Sequence, residues 1–101
     1  MASRLKLHSE LVDILGSNNV YFNPPEGVKM RYDAIRYKRK TIDSAFANNS
    51  TYIQNNCYEL IAIYRDPDSE LPFRLLRLPS CRHDRQYTAD NLIHDVFTIY
   101  Y

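Results

Sequence analysis

Two stretches of helical periodicity, several of two-residue alternation and a length of 101 residues predict an α+β fold. The expected architecture is a small mixed or antiparallel sheet of about four strands with two helices packed on one face, in the order α-β-β-loop-β-α-β-β. Residues 1–101 make one domain with a single modest core.

Ser3 is placed to cap a helix in which Leu7, Leu11, Ile14 and Leu15 fall at i, i+4, i+7 and i+8, with Leu5 and Val12 widening the stripe. Gly16 is the expected C′ residue. Val20 to Phe22 reads as a brief strand, ended by Pro24-Pro25, which forbid helix and remove ladder donors. In YDAIRYKRK, Ile35 and Tyr37 alternate with Arg36 and Lys38, so residues 33–40 form a strand with one wet face. The polar block TIDSAFANNSTYIQNN keeps Phe46, Tyr52 and Ile53, and suits either a long hairpin arm or a loop that orders against a partner.

CYELIAIYR is the most continuous apolar run and reads as a central strand with two covered faces. Asp66, Asp68 and Glu70 supply negative charge where a helix begins, and Leu71, Leu75 and Leu78 give a second helix over about residues 68–78, closed by Pro79. Strands over about 81–88 and 93–101 follow, joined through Ala89-Asp90-Asn91. With two helices for the whole sheet, some aromatic residues within 57–64 and 94–101 are expected to be left for a neighbouring molecule to bury.

Composition excludes several classes of function. A formal charge of +1 gives no overall pull toward nucleic acid or anionic membrane. No apolar run approaches the roughly 18 residues of a membrane span. The opening MASRLKLHSE lacks the apolar stretch of a secretory signal, and Cys57 and Cys81 form no C-x-x-C pair, so two free thiols in a reducing cytosol are expected. With only 2 glycines, no glycine-rich phosphate loop can form, and there is no G-x-S-x-G elbow. No catalytic, cofactor-binding or metal-binding residue is assigned, and the chain is not read as an enzyme. The 9 tyrosines favour a surface buried on assembly, because tyrosine combines an apolar body with a polar tip.

His83-Asp84 and His94-Asp95 would lie on opposite arms of the last hairpin and suggest a metal or acid-base site. Neighbours on a strand point to opposite faces, however, so a His and the Asp after it do not reach one pocket unless the strand bulges. A surface or structural role is the expectation. The other charge feature is the basic run containing Arg36, Lys38 and Arg39, which Asp66, Asp68 and Glu70 could complement. Without aromatic interleaving, charge pairing within or between subunits is the favoured reading over nucleic-acid binding.

The segments LHSELVDILGSNNVYFNPPEGVKMRYDAIRYKR, YELIAIYRDPDSELP, LRLP and HDRQYTADNLIHDVFTIYY resemble small tail-completion proteins of tailed bacteriophages, of the tail-terminator or neck kind. The resemblance leaves out chiefly residues 41–56. It implies a virion protein, made in the host bacterial cytoplasm, that forms a ring, commonly a hexamer, at the head–tail junction. Such a ring ends the tail tube and joins it to the head, with partners in its own copies, the tail tube protein and a head–tail connector or head-closure protein. DNA enters only as passing cargo in the lumen, and neither cofactor nor membrane is involved. The alternatives are a head-closure or adaptor (stopper) ring, a small nucleic-acid-binding regulator on the basic strand, and a small enzyme using the histidines.

On this reading Arg36, Lys38 and Arg39 pair across the subunit boundary with Asp66, Asp68 or Glu70, while Phe46, Tyr52 and Ile53 reach a neighbouring ring. Charge reversal at Arg36 and Lys38 is expected to weaken oligomers, and companion reversal at Asp68 and Glu70 to restore them. Sedimentation of the variants checks the pairing.

Overall fold

The computed structural model describes residues 4–25, 27–44 and 54–101; for 41–44 and 54–56 it describes the course of the backbone. The elements are α1 (Arg4–Leu15), β1 (Val20–Phe22), β2 (Ala34–Ser44), β3 (Gln54–Tyr64), α2 (Leu71–Leu75), β4 (Cys81–Ala89) and β5 (Leu92–Tyr100). The strands form one mixed sheet of 5 strands in the order β1-β2-β3-β5-β4. This is the expected α+β arrangement with one strand more, because Val20–Phe22 joins the edge as a strand parallel to β2 (Val20 opposite Ile35, Phe22 opposite Tyr37). The other pairings are antiparallel.

Parallel neighbours cannot be joined by a tight turn. The return from β1 to β2 is the Pro-rich stretch after Phe22, and its Met30 packs against Ile61, Ile63, Leu92 and Val96 on the sheet face away from the helices. On the opposite face α1 lays down Leu7 and Leu11, and α2 lays down Leu71 and Leu75, over Ile35, Tyr37, Tyr58, Leu60, Tyr64, Phe97 and Ile99. Ser3, the expected cap of α1, lies outside the described residues. Gly16 ends α1 at φ +81°, a left-handed conformation that a side chain would oppose, and its N–H donates to the Val12 carbonyl at 2.8 Å.

The second helix is shorter than the expected 68–78. Pro72 sits in its first turn, where a missing N–H leaves no bond unmade. The acidic stretch ahead of it is a turn: the Asp68 N–H donates to Asp66 Oδ1 (2.9 Å) and the Ser69 N–H to the Asp66 carbonyl (2.9 Å). Beyond Leu75 the bonds tighten to i+3, with Leu78 N–H donating to the Leu75 carbonyl. The last hairpin turns on Asp90 and Asn91 alone (φ 54° and 63°), the residue types that accept left-handed backbone in a two-residue turn.

Of the aromatic residues in 57–64 and 94–101, some of which are expected to be left for a neighbour, Tyr100 is the one that stays exposed. Tyr58, Tyr64 and Phe97 are buried by the chain itself, beneath α1 and α2 and against Tyr37. Tyr100 stays exposed, as do Leu5 and Phe73 on the helices. Tyr101 is half-buried, and its hydroxyl donates to Glu10 Oε2 of α1 at 2.6 Å, so the tyrosine after β5 is held to the first helix.

Burial, then the bond to Glu10 and its negative charge, push the Tyr101 hydroxyl up to about 12. A raised folded-state value means that this contribution is intact below the ordinary tyrosine value of about 10 and is lost as pH climbs from there toward 12. Urea midpoints are expected to fall more steeply over that alkaline range in the native chain than in Tyr101→Phe. The variant should also lose about 1 kcal/mol at pH 7.

A basic sheet face and a His83–Asp95 cluster

A β-bulge between His83 and Arg85 decides what the last hairpin presents. Before it, His83 lies opposite Phe97 on the helix-covered face; after it, Arg85 lies opposite Val96 on the other face. Asp84, the extra residue, turns toward the open face, where the Thr98 hydroxyl and Arg82 Nε donate to its two carboxylate oxygens. Partial burial works against its charge, but the bonds from Thr98 and Arg82 and the positive charges of Arg82 and Lys40 prevail, holding Asp84 below the ordinary carboxylate range.

His83 and Asp84 thus point apart, as strand geometry requires, and the His of the first pair meets the Asp of the second. Asp95 is 1% exposed and its carboxylate accepts from His83 Nε2 (2.8 Å), Gln86 Nε2 (3.1 Å) and the Tyr64 hydroxyl. The His83 ring stands edge-on to Phe97 at 5.2 Å. Burial, followed by the bond to Asp95 and its charge, raises the Tyr64 hydroxyl well above the ordinary tyrosine value. Three donors on a buried carboxylate satisfy it fully and tie β3, β4 and β5 together. Among the described residues no group of His, Cys, Asp and Glu could hold a metal ion. His94, on the opposite face, stacks on Tyr87 at 4.8 Å and 17°. Cys57 and Cys81 carry free thiols on opposite faces, and burial with the Asp84 charge pushes Cys81 up to about 11.

The six residues expected to form a subunit boundary are divided by the fold. Arg36 and Lys38 share the open face, but Arg39 lies on the helix side with its guanidinium over the Tyr58 ring at 5.7 Å. Lys38 pairs with Glu59 directly across the ladder (3.8 Å), and Glu70 pairs with Arg74 one turn on (3.7 Å). Arg36 lines a cavity of about 130 Å³ with Asn23, Pro24, Lys38 and Glu59. Asp66 and Asp68 are exposed beyond the far end of β3. Phe46, Tyr52 and Ile53 lie outside the described residues. β2 and β3 stay paired from Thr41 opposite Cys57 to Ser44 opposite Gln54. The flanking ladders stop at Tyr37 on the β1 side and at Cys57 on the β5 side. A two-stranded ribbon therefore leaves the sheet, with both edges unpaired among the described residues.

Sequence reading missed the second half of the basic face. Arg36, Ile61, Val96 and Arg85 form one row across β2, β3, β5 and β4, and Lys38, Glu59, Thr98 and Arg82 form the next. Plain alternation along CRHDR puts Arg82 and Arg85 on opposite faces; the bulge brings them to the same one. No protein-family model matches the chain, and no curated protein or solved structure matches it.

Asp95→Ala is expected to strand the buried Tyr64 hydroxyl, while the exposed His83 and Gln86 turn to water, and to cost about 1–3 kcal/mol, read as a lower urea midpoint at unchanged slope.

Proposed function

We propose that this chain is a structural virion protein of a tailed bacteriophage, forming a ring at the head–tail junction that ends the tail tube and joins it to the head. The observation that carries the reading is the β2–β3 ribbon. A lone two-stranded hairpin is marginal in water, and its unpaired edges are open to another chain. A subunit built to assemble covers such an arm against a neighbour, and a closed ring is reached by contacts in which the arm of one subunit meets a different surface of the next.

The exposed Tyr100, Leu5 and Phe73 support assembly as further surface to be covered. The partners in this reading are other copies of the chain, the tail tube protein and a connector or head-closure protein. The same surfaces would serve a head-closure or adaptor ring, and the position of the ring in the particle distinguishes the two.

Replacing residues 42–55 by Asn-Gly removes the ribbon while leaving the core pairs of Tyr37, Tyr58 and Phe97 in place. The shortened chain is expected to fold with native-like circular dichroism, to be monomeric by native mass spectrometry, and to leave tail tubes uncapped in electron micrographs. A full-length chain that stays monomeric at 100 µM (about a hundredfold above a micromolar dissociation constant) and ignores tail tubes would end the proposal.

A further inference from the structure

We infer that the open face of the sheet is a phosphate-backbone-binding surface for duplex DNA. The inference does not depend on the ring reading.

Two basic rails run along this face. One is Arg36 and Lys38 on β2; the other is Arg82 and Arg85 on β4. The ladder registers place the rails in the same two rows, three strand spacings apart, or about 14 Å. That separation suits cations reaching phosphate rows on either side of a B-DNA groove, whose major groove is about 12 Å wide. Lys38 is paired with Glu59 at 3.8 Å and Arg82 with Asp84 at 3.2 Å, so Arg36 and Arg85 carry the excess positive charge of the two rails. Arg36 and Arg85 have no ion-pair partner among the described residues, and Lys40 adds further positive potential near Asp84. At the end of the face Tyr87 lies flat on His94, with the Arg85 guanidinium 5.9 Å from its ring.

The floor of the face argues for a polyanion over a protein. A protein partner needs apolar anchors that it can bury. Ile61, Ile63, Leu92 and Val96 are already buried, with Met30 packed on them, so charge is what this face has to give. Duplex DNA, with about one negative charge per 1.7 Å of axis, is the ligand that charge on both rails reads without an anchor.

The test is fluorescence anisotropy of a labelled 20-base-pair duplex with the full chain at 50 to 200 mM salt. Micromolar binding at the low end is expected, weakening steeply with salt (a slope near 0.9 per phosphate contact). Arg82→Gln with Arg85→Gln, and separately Arg36→Gln with Lys38→Gln, should each weaken binding about tenfold and lower the salt slope by about 1–2. Arg82→Lys with Arg85→Lys should retain most of the affinity, which separates charge from loss of the Arg82–Asp84 contact, and circular dichroism verifies that each variant is folded. The inference falls if no binding is seen at 100 µM and 50 mM salt (the weak limit of non-specific binding). It also falls if either rail can be neutralised without effect, or if single strands bind more tightly than duplex. Each of these results leaves the oligomer measurement untouched, so the ring reading stands or fails separately.

Discussion

The pairing of β3 with β5 is the constraint on which the molecule depends. Tyr58 opposite Ile99 and Leu60 opposite Phe97 fix the face that α1 and α2 cover, while Ile61 opposite Val96 fixes the other. A slip of one residue in this ladder would exchange the two sets and expose the core. Asp95 adds a polar lock to the same register, since its carboxylate meets Tyr64 from β3 and His83 and Gln86 from β4 only when Ala62 and Asp95 are opposite one another. An apolar residue at 95 would tolerate a shifted pairing, whereas a buried carboxylate does not.

The division of labour between the two faces follows from how little helix the chain possesses. Twelve residues of α1 and five of α2 cover one side of the sheet. On the other side a connection, not a further helix, covers the apolar patch: the segment between β1 and β2 brings Met30 over it, and long basic side chains stand beside it on β2 and β4. Lysine and arginine suit that position because their stems lie along apolar surface while their heads remain in water.

Much of this was legible in the residues. The Leu7–Leu11 stripe, the Gly16 stop, the alternation of Ile35 and Tyr37 with Arg36 and Lys38, and the apolar run at 57–64 all carry their structure locally, through period and backbone preference. What was not legible came from pairing. Val20–Phe22 is too short to announce its partner, and its parallel docking on β2 depends on a loop passing under the sheet. The second helix is shorter than its leucine spacing implies because Asp66 and Ser69 fold the acidic stretch into a turn with the same residue types that would cap a helix. The contact of His83 with Asp95, and the alignment of Arg85 with Arg36, require a bulge that no periodicity in the sequence reveals.

That bulge makes β4 a strand with two phases. Cys81, Arg82 and His83 follow one parity, while Arg85, Gln86 and Tyr87 follow the other, and Asp84 is the splice between them. A single-residue deletion there would leave the composition of the hairpin almost untouched yet rotate everything upstream by half a turn, carrying His83 away from Asp95 and Arg82 to the helix-covered face. Length at this one position, more than the identity of any side chain, sets which charges the sheet shows to the outside.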